Sequence, residues 1–548
     1  MRKNRYVQPA LAVLLVAAIA ASVSTSCATS TPSAPSATVS TSRTPCESLS
    51  ENDSDEFTIS QATEIAGGTR TFDDPYSPAS IDELPALCDV RAIRSDPGGK
   101  TVTETIWMPN ENWNGRFQGV GGSGYSCGPK YEALAAAVKN GYAAATTDCG
   151  HSGGPGDASF LLSSNDIVDE TLLHNWAYDA IHWMTRDAQT IAEAFYGRSP
   201  GFSYFLGCST GGRQALSEAQ RFPDDYDGIV AGAPAINWAK FVPSEMWAQL
   251  VMKETNNPLP MCKQDAFERA VVAACDNLDG VNDSVIGDVQ QCSWDPHELV
   301  GAKTECGTIT DLDAAVMKMI WDGPTGPNGD QLWFGPLRGT HTAGVTIPQL
   351  NGPTGISMTV ESNGALVGLP FPITNSWFEN ALIKHEGWDW RTLTRDQYYS
   401  LFQQSIDEYA AVMDTADPDL SDFAQSDGKL VVWHGLADNE IFPQGTEKYF
   451  DAVFEKSGGR STVDEFARLF LAPGVGHCRG GSGPAPADPL SAVVDWVENG
   501  IAPDTLTATT VDSATKSVTK TVPLCPYPAV TRYNGTGDPN SENSYTCA

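Results

Sequence analysis

The chain has 548 residues, 41% of them apolar and 19% charged, enough to bury the core of one large enzyme or of two to four smaller domains. Its formal net charge is −34, from 34 basic and 68 acidic residues. That balance excludes a phosphate-neutralising surface, and with it nucleic acid as a partner, and otherwise serves solubility.

Arg2, Lys3 and Arg5 precede an apolar run over 10–21, and a Ser/Thr/Pro-rich stretch follows. This is the layout of an export signal over 1–26, with Ala18-Ile19-Ala20 as a candidate cleavage site. The run is too short for a comfortable membrane span. Cys27, after Thr25 and Ser26, offers the alternative of a lipid anchor on the outer face of the cell membrane, although Ser24 stands where that pattern has an apolar residue. Residues 27–44 read as a linker too poor in apolar side chains to pack. Setting Cys27 aside leaves an even number of the 13 cysteines, suited to disulfides in a secreted protein. No CxxC pair supports a zinc or redox motif.

Strand-like alternation begins at 101–108, and a second strand over 116–120 leads into Gly121-Gly122-Ser123-Gly124. Residues 141–147 read as a buried strand ending at Asp148-Cys149-Gly150-His151. Trp176, Ala177, Ala180, Ile181 and Met184 recur at helical spacing and predict a helix over 169–195. A strand over 202–206, a helix over 214–221 and a strand over 228–231 come next. From 237 to 417 the sequence is Trp-, Gly- and Pro-rich with little β-α alternation. The rhythm resumes with strands at 429–433 and 467–471 and helices at 446–456 and 489–497. The expected fold is α/β, a mainly parallel sheet flanked by helices. It divides into a first catalytic part over 45–236, an inserted lid domain over 237–417 and a second catalytic part over 418–548.

Gly207-Cys208-Ser209-Thr210-Gly211 matches G-x-S-x-G at the predicted strand-to-helix junction. That turn is so tight that the flanking residues must be small, and it lifts the serine hydroxyl above the sheet edge. A serine needs a histidine to take its proton, and the histidine needs an acid. In the chain order Ser, acid, His, the candidates are Asp438 and His477, each after a predicted strand. His434 is the nearest rival, but it precedes the acid. His151, His174 and His182 precede the serine, and His297, His341 and His385 fall in the insertion, where hydrogen-bonding or structural roles are expected. The Thr210 N–H is one candidate oxyanion donor, and Gly122 and Ser123 of the earlier glycine-rich loop supply the others. Cys208 and Cys478 adjoin the serine and the histidine, so bringing those two together also brings the cysteines together. A disulfide between them would staple the site.

With these residues in view, the sequence resembles the tannase and feruloyl esterase family, whose hallmark is a Cys-Ser, Asp, His-Cys set with the two cysteines bonded. Cys208-Ser209, Asp438 and His477-Cys478 match it. Trp113-Asn114-Gly115-Arg116-Phe117, Thr147-Asp148-Cys149-Gly150-His151, Cys208-Ser209-Thr210-Gly211-Gly212-Arg213 and Trp388-Asp389-Trp390-Arg391 are similar to it as well. The likeness runs from about residue 46 to the C-terminus. It implies an α/β-hydrolase domain with a large inserted lid, and cleavage of esters of gallic, ferulic or related aromatic acids. One branch acts on mono(2-hydroxyethyl) terephthalate.

Within the insertion, 276–288 places several acids around Gly280, oxygen ligands of the kind calcium takes, in a register that is not an EF-hand. The resemblance implies a structural Ca²⁺ held by the side chains of Asp276, Asp279 and Asp283 and the carbonyls of Val281 and Val285. It also implies the disulfides Cys46–Cys88, Cys275–Cys292 and Cys525–Cys547, which leaves Cys127–Cys149 and Cys262–Cys306 by elimination. No organic cofactor is expected.

The expected activity is therefore a serine carboxylic ester hydrolase working through an acyl-enzyme on small or plant-polymer-linked aromatic esters. Feruloyl or hydroxycinnamoyl esters lead, and galloyl esters and the terephthalate monoester are alternatives. Trp377, Phe378, Trp388, Trp390, Ile441 and Phe442 are candidates to border the acid pocket. A non-catalytic exported binding protein on a hydrolase scaffold is the rival from another class, and predicts a defective triad.

Overall fold

Nine strands hydrogen-bond into one sheet among the described residues: β1 (Phe57–Ile65), β2 (Leu87–Ser95), β3 (Thr101–Pro109), β4 (Arg116–Val120), β5 (Ala143–Thr147), β6 (Phe202–Cys208), β7 (Gly228–Gly232), β8 (Lys429–Gly435) and β9 (Ala467–Ala472). Their spatial order is β1-β2-β3-β5-β4-β6-β7-β8-β9. Pairing is antiparallel from β1 to β5 and parallel from β5 onward, the α/β-hydrolase arrangement. The computed structural model describes residues 43–548 apart from 52, 75–78 and 164. The export signal, Cys27 and all but the last two linker residues lie outside the described residues.

Side chains on successive residues of a strand face opposite ways, and here both faces are covered. Ile229, Ala231, Leu430, Val432 and Leu469 enter one core, while Val230, Val431, Trp433 and Phe470 enter the other. That double burial is why these strands read as continuous apolar runs. The parallel neighbours are joined by helices α1 (Tyr131–Lys139), α2 (Ala180–Tyr196) and α3 (Thr210–Arg221).

β7 and β8 are adjacent, with Gly228 opposite Lys429 and Gly232 opposite Trp433, although all of 233–428 lies between them. That segment leaves and re-enters side by side. The Thr415 N–H donates to the Ile236 carbonyl at 2.9 Å, and the Ala239 N–H to Asp414 Oδ1 at 2.9 Å. Between those ties lie helices α4 (Trp238–Glu245), α5 (Met261–Cys275), α6 (Asp311–Asp322) and α7 (Arg395–Met413) and short hairpins, packed around an aromatic core that includes Trp238, Trp377 and Tyr398. After β8 come α8 (Gln444–Lys456) and α9 (Pro489–Asn499).

The long helix expected over 169–195 is interrupted. A π-helical turn spans Asn175–Asp179 between Glu170–His174 and α2, and buried Asn175 there donates to Asp96 Oδ2 at 2.6 Å. The helix after the serine starts earlier than its apolar residues suggest, because Thr210, Gly211 and Gly212 form its first turn. β1, β2 and the C-terminal three-stranded sheet containing Leu506–Val511 and Val518–Leu524 carried no clear sequence signal. β1 is the sheet edge and the C-terminal strands are surface elements, both with mixed burial patterns, whereas β2 pairs on both sides and is largely buried.

Candidate active site

Ser209 occupies the turn between β6 and α3 with φ 65° and ψ −126°, a left-handed backbone that ordinary residues seldom adopt. Its neighbours hold it there. The Ser209 N–H donates to the Gly232 carbonyl at 3.0 Å, and its own carbonyl accepts from Arg213 and Ala235. A Cβ at Gly207 would lie 2.3 Å from the Gly211 carbonyl oxygen, and one at Gly121 only 2.5 Å from Gly211 Cα. The small residues of the motif are thus a steric requirement. Arg213 is buried beneath the turn, donating to the carbonyls of Ala177 and Trp176 and lying over the Trp176 ring. Burial pushes its guanidinium down to about 9.

Asp438 follows β8 and has no exposed surface. Its Oδ1 accepts the N–H groups of Glu440 at 2.9 Å and Ile441 at 2.8 Å. Its Oδ2 meets His477 Nδ1 at 2.9 Å and His434 Nε2 at 3.1 Å. His434 Nε2 also faces the Ile441 carbonyl at 3.0 Å, so with two acceptors on that nitrogen it carries the proton there. Its Nδ1 then accepts from Thr446 Oγ1 at 2.8 Å. Burial alone would raise the Asp438 carboxyl, but the His477 charge and the hydrogen bonds from both imidazoles hold it far below the usual range.

His477 lies in the loop after β9, and Cys478 is bonded to Cys208 across 270 residues. The loop carrying the imidazole is therefore covalently tied to the residue before Ser209. His477 Nε2 lies 3.7 Å from Cys478 Sγ and 3.4 Å from Glu440 Oε2. Burial disfavours the imidazolium, but the charges of Asp438 and Glu440 and the Asp438 hydrogen bond outweigh it and raise His477 to about 9. Sequence reasoning missed Glu440, and gave His434 only the part of a rival base. The spacing of His434 and Glu440 around Asp438 was the one signal that could have found them.

The expected oxyanion donors differ in their freedom. Thr210 is the first residue of α3, where the N–H has no intrahelical acceptor, and its hydroxyl donates to the Gly124 carbonyl at 2.7 Å. The Gly122 N–H instead donates to Gln214 Oε1 at 2.8 Å, and the Ser123 N–H to the Ser126 carbonyl at 2.7 Å. In this arrangement neither of these two N–H groups is free to meet an oxyanion.

Among the described residues six disulfides form, pairing Cys46–Cys88, Cys127–Cys149, Cys208–Cys478, Cys262–Cys306, Cys275–Cys292 and Cys525–Cys547. Along 276–288, Asp276 Oδ1 accepts the N–H groups of Asp283 and Ser284, Asp279 Oδ1 that of Val281, and Asp283 Oδ1 that of Val285. Burial and the charges of Asp283 and Asp276 raise the Asp279 carboxyl. Lys520 pairs with Asp283 Oδ2. These three carboxylates do not converge as tightly as two other groups do. The ligand atoms of His182, Glu218 and Asp225, and those of Asp265, Glu268 and His341, lie within 4.8 Å of one another.

Of the pocket candidates, Trp377 and Phe378 are fully buried, Trp377 donating to Ser405 Oγ, and Ile441 and Phe442 are buried as well. Trp388 and Trp390 line an open groove of about 1130 Å³ with Gly154, Leu350, Asp389 and Arg391, and neither Ser209 nor His477 borders it. His151 stacks on Phe160 and accepts from the Gly153 N–H, a packing role, and burial pushes it down to about 4.

The family model described as tannase and feruloyl esterase matches residues 90–548. A probable feruloyl esterase of Arthroderma benhamiae is 41% identical over 483 residues, covering 86% of this chain and 88% of that protein. The mono(2-hydroxyethyl) terephthalate hydrolase of Piscinibacter sakaiensis is 29% identical, covering 92% of each chain. The solved structure of tannin acyl hydrolase from Aspergillus niger aligns with a TM-score of 0.78 at 25% identity, over 90% of this chain and 92% of that one.

Only a neutral imidazole can accept a proton from Ser209, and His477 is raised to about 9. Expected activity on an uncharged ester therefore rises as pH increases through the alkaline range, with the acid limb of kcat/KM near 9. A limb at the ordinary histidine value of about 6.5 contradicts this electrostatic account.

Proposed function

The chain belongs to the tannase and feruloyl esterase family and is a carboxylic ester hydrolase, and on that premise we propose that it cleaves feruloyl and related hydroxycinnamoyl esters through Ser209, His477 and Asp438. One observation carries the reading: His477 is held between buried Asp438 and, through the Cys208–Cys478 bond, the strained turn of Ser209. The name of the 41% identical relative supports the choice of feruloyl esters. The intact serine turn and the His477–Asp438 pair weigh against a non-catalytic binding protein. The charged signal-like N-terminus and six disulfides support export, with an anchor at Cys27 as the alternative.

In the proposed reaction His477 Nε2 takes the Ser209 Oγ proton as Oγ attacks the ester carbonyl carbon. The Thr210 N–H donates to the oxyanion of the tetrahedral intermediate. Collapse breaks the bond to the alcohol, which leaves with the proton from His477. Water then gives its proton to His477 and attacks the acyl-enzyme, and the aromatic acid departs as Ser209 recovers its proton. Asp438 stays ionised throughout, holding Nδ1–H and opposing the imidazolium charge. The chemistry requires no organic cofactor.

The loop 276–288 is proposed to hold a structural Ca²⁺ through Asp276, Asp279 and Asp283 and the carbonyls of Val281 and Val285. Support comes from its all-oxygen donor set, the Cys275–Cys292 staple and the crowding of negative charge that raises Asp279. Lys520 neutralises one of those charges, so binding requires Asp283 to exchange the ammonium for the ion. Bound there, the ion would neutralise the remaining acids and fix the loop.

Two measurements test these proposals. Wild type should release acid from methyl ferulate faster than from methyl gallate or the terephthalate monoester, and Ser209→Ala should lose at least about a thousandfold in kcat. A preference for either other ester reassigns the substrate, and an active Ser209→Ala removes the nucleophile. For the loop, chelation should lower the melting midpoint, added calcium should restore it, and Asp279→Asn should abolish the response. A midpoint indifferent to chelator and calcium refutes the calcium site.

A further inference from the structure

The proton that His477 Nε2 takes from Ser209 is handed to the departing alcohol, whose oxygen must therefore come within hydrogen-bonding reach of that nitrogen. Whatever else sits beside Nε2 is then a neighbour of the alcohol. Glu440 Oε2 lies 3.4 Å away. The side chain is 15% exposed, and among the described residues it accepts no hydrogen bond from the protein and has no Lys or Arg nitrogen within 4.0 Å. The other ionisable groups close enough to act on it are His477 and Asp438, while Glu245 of α4 is itself raised in part by the Glu440 charge. The alcohol side of the site is thus bordered by a carboxylate with no cationic partner other than the imidazole.

Resting on the esterase reading above, we infer that Glu440 is a specificity-determining residue for the alcohol half of the substrate, favouring esters of uncharged, hydroxyl-bearing alcohols such as sugars over esters whose alcohol carries a carboxylate. Two physical effects act together. An ionised carboxylate is a strong acceptor for substrate hydroxyls, and forms such bonds more favourably than a neutral group does. It also repels a second anion a few ångströms away in a partly buried site, where water screens little. The acyl half stays on Ser209 and is attached to the carbonyl carbon rather than to the oxygen that His477 protonates, so a carboxylate on the acid lies farther from Glu440 than one on the alcohol.

The effect carries its own pH signature. Burial and the Asp438 charge raise Glu440 to about 7, against the pull of His477. Discrimination should therefore strengthen as pH rises through 7 and weaken below it, whereas a carboxylate on the alcohol stays ionised across that range.

The test follows caffeate release from two esters of one acid, caffeoylquinate and its quinate methyl ester, whose alcohols differ in a single charge. For wild type at pH 8 the neutral ester should have the higher kcat/KM by about tenfold, with the ratio falling at pH 6 and in high salt. In Glu440→Gln, and in Glu440→Ala as a second variant, the ratio should approach one at every pH, and Glu440→Lys should invert it. Active variants that keep the wild-type ratio overturn the role of Glu440 and leave the esterase reading standing. Wild type that cleaves neither ester overturns the hydroxycinnamoyl-ester reading and this inference with it.

Discussion

Asp438 is a carboxylate without exposed surface that nonetheless stays ionised, and four hydrogen bonds make that state tolerable. A bare anion at that depth would take up a proton instead. Two of the bonds come from its own loop and fold the chain from 438 to 441 around one oxygen. The other two come from imidazoles, one at the end of β8 and one beyond β9. The carboxylate thus sets the shape of the loop after β8, fixes the proton-bearing nitrogens of His434 and His477, and leaves His477 Nε2 pointing away from it, toward Glu440 Oε2 at 3.4 Å.

The sheet and the disulfide supply the rest. Adjacent parallel strands end on the same edge, so β6, β8 and β9 deliver Ser209, Asp438 and His477 to one region although they lie far apart in the chain. Strand ends fix positions only coarsely, and the Cys208–Cys478 bond ties the histidine loop covalently to the residue before the serine. The large excursion between β7 and β8 is compatible with that precision because its two ends are hydrogen-bonded together at Ile236 and Thr415.

Some of this was legible in the sequence. Glycines around a serine between a strand and a helix have a steric reason, and Gly207 and Gly121 meet Gly211 closely enough to bear it out. The order of Ser209, Asp438 and His477, with cysteines beside the first and last, is readable because a covalent bond leaves its two residues in the sequence. Other features were not. The N–H groups of Gly122 and Ser123 could not be assigned, because which way a backbone donor points depends on Gln214 and Ser126. Glu440 reads as one more acid in a chain with 68 of them, and only the fold of the Asp438 loop turns it toward the imidazole. Trp377 and Trp388 look alike in sequence, yet one is buried packing and the other lines an open groove.

The central claim is that one serine among many is chemically activated. The most direct measurement is covalent labelling with a fluorophosphonate, followed by mass mapping of the adduct. The account predicts one phosphonyl group per chain on the peptide containing Ser209, with labelling strongly slowed in His477→Ala. Labelling at another serine, or at Ser209 with an undiminished rate when His477 is absent, would contradict it.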